Sequence, residues 1–258
     1  YAMSHREPER NNFTDNGSYP APKAEMLHDV EAGYEFTGRG WHAGAGLYAM
    51  YYHNQFVQTG QQSDIGENLT TNVKESNRLG VELTAGVDVT RWLSLEANAA
   101  LSRNRITDFD EVVETYDAAW NDQAPTTVHY SHSTLAFSPA AVLNGFADFH
   151  VGGFSAAWHT GYVSRQYLDN TENKDRSLPQ FTRTDVHLSY DWNVSPRGLK
   201  HALFGLDLGN IFNRRYAASG WVYSAIVGDD YPETNRYYQI GYVPMAGFTI
   251  MGNVTLKF

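Results

Sequence analysis

From Phe248 to Phe258 the chain alternates without a slip. Phe248, Ile250, Gly252, Val254, Leu256 and Phe258 take one side of an extended strand, and Thr249, Met251, Asn253, Thr255 and Lys257 take the other. The pattern recurs upstream. Val81, Leu83, Ala85, Val87 and Val89 alternate with Glu82, Thr84, Gly86 and Asp88; after "TRW", Leu93, Leu95, Ala97, Ala99 and Leu101 alternate with Ser94, Glu96, Asn98 and Ser102. "HDVEAGYEF" turns at "TGRG" into "WHAGAGLYAMYY", and "FTRTDVHLSYDW" turns at "NVSPRG" into "LKHALFGLDLG". The periodicity predicts about ten antiparallel strands, many near the ~9–11 residues that a tilted strand needs to cross a bilayer.

The predicted connections alternate in length. Short ones fall around 38–40, 90, 152–153 and 195–198; long polar ones cover roughly 7–24, 57–72, 104–130, 168–180 and 213–238. Short turns at one end and long loops at the other point to an all-β transmembrane barrel, since a soluble sandwich has no cause for the asymmetry. The apolar face then meets lipid. The opposite face carries Glu31, Glu35, Glu82, Asp88, Glu96, Asp185, Asp191 and Asp207, and must be wet or filled, because a buried unpaired carboxylate costs several kcal/mol. Trp41, Trp92, Tyr162, Tyr190 and Trp192 near strand ends read as interfacial girdles; ordinary cross-strand packing is the competing reading.

Composition fits this picture. The 258 residues are 14% aromatic and 19% charged, with 22 Gly, 9 Pro and no Cys, a profile of strand and turn formers without a disulfide framework. A formal charge of -10 with no basic run argues against a nucleic-acid partner. No stretch reaches the length of a membrane helix, but hydropathy averages over alternating faces and would miss a barrel. The opening "YAMSHREPER" lacks a charged region followed by an apolar core, so the chain reads as starting after a processed leader or partway through a protein.

Site chemistry is sparse. His129 and His132 in "HYSH" would point to opposite faces of a strand without a third ligand, and no phosphate loop or nucleophile elbow is present; neither metal nor cofactor is expected. Asp185 and His187 share a face, which keeps an outer-membrane hydrolase open as an alternative, although a hydrogen-bonded wall explains them as well.

Several segments together resemble the C-terminal barrel hairpins of a TonB-dependent outer-membrane receptor. They are "SHREPERNNFTD" (4–15), "PKAEMLHDVEAGYEF" (22–36), "LAFSPAAVLNGFADF" (135–149), "GLDLGNIFNRRY" (205–216) and the closing strand ending in Phe258; they stand in family order over nearly the whole chain. The resemblance implies a barrel of about 22 strands around a plug, in the outer membrane of a Gram-negative bacterium, importing a scarce large solute with energy supplied through TonB. About ten strands fall short of that, so residues 1–258 are expected to be a single barrel portion. Its remaining strands, plug and TonB-binding region would lie in upstream sequence or another chain. The resemblance also implies that the final strand and its Phe258 serve as an assembly signal.

The expected cargo is a ferric siderophore or haem, with vitamin B12 and oligosaccharides open. Cationic and aromatic residues in the long loops are the candidate contacts: Arg6, Arg10, Tyr116, Trp120, His129, Tyr130, Trp221, Tyr223, Arg236 and Tyr237. A self-contained ten-stranded enzyme or pore, and a soluble glycan-binding β-sandwich, are the alternatives.

Overall fold

The computed structural model describes residues 1–14, 19–62, 67–194 and 198–258. In chain order the strands are β1 (Ala2–Arg6), β2 (Glu25–Gly38), β3 (Trp41–Gln62), β4 (Asn68–Thr90), β5 (Leu93–Ile106), β6 (Phe109–Tyr116), β7 (Asp122–Tyr130), β8 (Ser133–Thr134) and β9 (Ala141–Val151). They continue as β10 (Phe154–Val163), β11 (Gln166–Tyr167), β12 (Ser177–Leu178), β13 (Phe181–Asn193), β14 (His201–Gly209), β15 (Ala217–Val227), β16 (Tyr237–Pro244) and β17 (Thr249–Lys257). A short helix α1 (Arg10–Thr14) precedes β2.

The main sheet is an antiparallel meander in the order β1-β2-β3-β4-β5-β9-β10-β13-β14-β17, with β8 extending the pairing of β5. Among the described residues β1 and β17 pair on one side only, and the sheet is not closed. Among the described residues the short turns around 38–40, 90 and 152–153 lie at one end; the turn expected at 195–198 falls largely outside the described residues. Gly40 and Gly152 occupy left-handed positions there, at φ 77° and 59°, which a hairpin turn demands and a side chain resists. At the other end the strands run further than the alternation indicated: β3 and β4 occupy much of the 57–72 stretch expected as loop.

Register makes one face continuous. Trp41 pairs with Val87, Val87 with Leu95, Leu95 with Ala147, Ala147 with Trp158, Trp158 with Val186, Val186 with Leu208 and Leu208 with Ile250, an apolar row across eight strands. A row on the other face runs Glu35, Gly44, Thr84, Asn98, Asn144, Gly161, Arg183. A one-residue slip anywhere would mix the two faces, so the alternation itself fixes the pairing.

Burial assigns the faces. Leu47, Ile250 and Val254 remain 62%, 63% and 60% exposed, with no second layer over them. The apolar band along β3, Trp41 to Tyr51, spans ten residue steps; at ~3.3 Å per step and a ~40° tilt that is about 25 Å, the height of an outer-membrane hydrocarbon band. Trp41, Trp92, Tyr190 and Trp192 ring the short-turn end, with Phe36 stacked on Trp41 at 4.8 Å; Tyr162 sits at the loop end of β10. Dry packing is concentrated beyond the band, in one cluster of Val57, Val73, Ile106, Phe109 and Leu135 and another of Leu168, Leu178 and Val222.

The long connections carry structure that alternation alone did not disclose. The β6–β7 and β15–β16 hairpins join into a cap sheet, order β16-β15-β6-β7, through a short parallel pairing of Ala225–Val227 with Glu114–Tyr116. Each hairpin is readable locally. Their union is a contact over more than a hundred residues, and nothing in either pattern specifies it.

Candidate functional site

The two cap hairpins bring their tips together. At the β6–β7 tip the Asp117 carboxylate accepts hydrogen bonds from the Ala119 and Asn121 backbone N–H groups at 2.8 and 2.9 Å and from the Asn121 side-chain amide at 2.8 Å. These donors, the Asn121 side chain foremost, hold the Asp117 carboxyl below the usual carboxylate range. The turn they build places Trp120 at φ 62° and leaves it 48% exposed. For an indole that backbone costs about 1–2 kcal/mol, so the surroundings hold it there.

Trp120 packs against Tyr116 at 5.6 Å and edge-on to Tyr237 at 5.2 Å, and Tyr237 meets Tyr231 at 5.5 Å. Tyr223 donates to the Tyr116 hydroxyl at 3.2 Å, and Tyr116 donates to Glu114. Burial pushes the Tyr223 phenol up. Gly228 is where the hairpins touch: its N–H donates to the Tyr116 carbonyl at 2.9 Å, and a Cβ there would crowd Ala118. Tyr116, Trp120, Tyr223 and Tyr237, all expected from the sequence, therefore form one aromatic platform. Tyr231 joins them unanticipated; its signal was its place in the same "DDYPETNRYY" loop.

Beneath the platform lies a buried ionic network. Glu111 accepts from Arg236 at 2.8 Å and from the Tyr130 hydroxyl at 3.0 Å, and lies 3.6 Å from Arg176; Arg176 in turn pairs with Asp169 at 3.0 Å and donates to Thr171. The charged side chains are at most 10% exposed. Burial works against the charge on Arg236, but the Glu111 carboxylate beside it prevails and raises its pKa. Burial, reinforced by Glu111 and opposed by Arg236, pushes Tyr130 up to about 12. Burial likewise raises Asp169, against the pull of Arg176. Arg236 and Tyr130 thus tie three connections together, bordering a cavity of about 290 Å³ also lined by Ser224, Glu233 and Tyr238.

The other expected contacts lie apart from the platform. His129 is exposed and bonds Asp110 at 2.8 Å. Trp221 stands on β15 over Gly241 of the paired β16. Arg6, the last residue of β1, pairs with Glu9 at 3.3 Å and lies over the Phe56 ring, and Arg10 opens α1 in the connection between β1 and β2.

On the polar face of the main sheet, a cavity of about 440 Å³ is lined by Glu31, Tyr48, Arg78, Glu82, Asn104 and Ser138. Further round, His187 bonds Asp207 at 2.6 Å, whereas Asp185 accepts from Arg183 at 2.9 Å and from the Asn210 N–H. The Asp185 and His187 that share a face in sequence are thus committed to different partners. Among the described residues, no three His, Asp or Glu side chains converge as metal ligands do. Taken together, the arrangement offers stacking and charge at the mouth and a polar wall behind it, which suits capture and passage of a solute.

Comparisons with known proteins agree with this architecture. Among solved structures, the copper transporter OprC superposes with a TM-score of 0.62 at 18% identity, covering 98% of this chain and 35% of its own. The siderophore receptor PiuA from Acinetobacter baumannii does so at 0.60 and 14%, covering 99% and 33%. The ferric yersiniabactin uptake receptor FyuA from Yersinia pestis gives 0.58 and 15%, covering 92% and 31%. At such identities the likeness is one of fold, and the chain spans about a third of the length of the structures it matches. No curated protein matches it in sequence. Residues 1–213 match the family described as "TonB dependent receptor-like, beta-barrel", and the chain belongs to that family of outer-membrane receptor barrels.

Proposed function

We propose that this chain supplies the C-terminal staves and part of the loop cap of a receptor in the outer membrane of a Gram-negative bacterium. That receptor imports a scarce, large solute, a ferric siderophore or haem in the first instance, with energy delivered through TonB. The rest of the barrel, the plug and the TonB contact belong to the remainder of the assembly. The observation that carries this reading is the unbroken apolar row from Trp41 to Ile250 on one face, with a wet polar wall on the other and an aromatic platform above it. A bilayer satisfies such a sheet.

The platform residues Tyr116, Trp120, Tyr223 and Tyr237 stack on the cargo, and the ionic network around Glu111 holds the loops that present them. The test is uptake of a labelled iron chelate by cells that depend on the receptor. Uptake is expected to vanish without TonB and to fall about tenfold in a Trp120→Ala, Tyr237→Ala double variant. Uptake indifferent to both would defeat the reading.

A further inference from the structure

We infer that the mouth formed by the cap hairpins selects a solute of net positive charge, an inference that rests on the receptor reading above. Residues 107–132 contain six carboxylates and no Lys or Arg; residues 217–244 contain three carboxylates and one Arg. The single cation, Arg236, is spent on Glu111 beneath the surface, as Arg176 of the adjoining connection is spent on Asp169 and Glu111. That adjoining connection, 163–181, carries three basic and three acidic residues and leaves the balance unchanged.

Of the eight remaining carboxylates, Asp108 and Asp110 face His129, and the other six lie beside residues of the aromatic platform. Glu114 bonds Tyr116, Asp122 is the cross-strand partner of Tyr116, and Asp117 shapes the turn that displays Trp120. Asp229 and Asp230 precede Tyr231, and Glu233 follows it. All but Asp117 belong to exposed residues, and in physiological salt charges act over ~8 Å. An exposed indole and phenols rimmed by carboxylates favour a cation twice over, through the ring quadrupole and through the field. An anionic chelate meets the same rings but an opposing field, and no free guanidinium of the two hairpins offsets it.

The experiment compares two ferric complexes on the intact detergent-solubilised receptor: a linear trihydroxamate bearing a free ammonium, which is cationic, and a tricatecholate, which is anionic. Retention of the cationic complex is expected to be about tenfold tighter, with the preference shrinking at high salt and in an Asp229→Asn, Asp230→Asn, Glu233→Gln variant. Equal or tighter retention of the anionic complex overturns the inference and leaves the receptor reading standing. Retention of neither complex overturns the inference together with that reading.

Discussion

Glu111 and Arg236 lie 125 residues apart in sequence and meet at 2.8 Å with side chains only 10% and 7% exposed. Because Glu111 also faces Arg176, it is the carboxylate on which both buried guanidiniums converge. Its replacement by Ala leaves Arg236 without a counter-ion and Arg176 with Asp169 alone. Removing one partner of a buried pair costs about 3–5 kcal/mol, more than replacing the whole pair by apolar residues. Glu111→Ala is therefore expected to open the cap, seen as faster hydrogen exchange over 217–244, while the strands of the main sheet keep their protection. Glu111→Met combined with Arg236→Met is expected to restore much of it. Uniform loss of protection across the sheet would contradict a network confined to the cap.

The same network makes the cap sensitive to alkali. Tyr130 ordinarily ionises near 10 and in the fold only at about 12, because burial and the Glu111 charge disfavour a phenolate. The protonated phenol thus stabilises fully below pH 10, and that contribution is lost as the pH rises towards 12. Burial raises Tyr223 in the same direction. Proteolysis within the cap is expected to accelerate between about pH 10 and pH 12, and less steeply in Tyr130→Phe.

Asp117 is the cause of Trp120's display, so the two are separable by substitution. Asp117→Ala removes three hydrogen bonds from the tip, freeing Trp120 from its left-handed backbone and weakening retention of cargo about tenfold. Asp117→Asn keeps an acceptor and is expected to lose less. Since the folded pKa is depressed, the turn keeps this support above the ordinary aspartate range and loses it as the pH falls through the lowered value. Trp120→Gly suits the φ of 62° better than the native residue and still removes the indole, so an intact turn with lost retention of a labelled iron chelate is the outcome to look for.

The number of strands along the main sheet, face assignment and the polarity of the connections were legible from alternation, because a two-residue period survives in each strand regardless of what lies beside it. Tyr116, Trp120, Tyr223 and Tyr237 were legible as loop aromatics but not as neighbours. Their meeting depends on the parallel pairing of Val227 with Tyr116, a long-range contact without a local signature. Arg236 and Tyr130 read as candidate cargo contacts, whereas the fold commits them to Glu111. An Arg in a polar loop looks the same whether its partner is a ligand or a carboxylate a hundred residues away.

Leu83 and Glu82 pose the sharpest test of the membrane assignment, because they are adjacent, both exposed, and on opposite faces of β4. Leu83 pairs with Ala45 and Ala99, Glu82 with Gly46 and Ala100. If both faces met water, Leu83→Arg would change stability by no more than about 0.5 kcal/mol, as surface substitutions usually do. In a bilayer the same change places a guanidinium within the hydrocarbon band, at a cost of about 2–4 kcal/mol near the midplane. Glu82→Gln, one residue away, meets water in either case and is expected to be silent. The proportion of receptor reaching the heat-resistant folded form in outer membranes measures both. A large fall for Leu83→Arg alone is expected; equal assembly of the two variants would remove lipid from the apolar face and, with it, the reason for the row from Trp41 to Ile250.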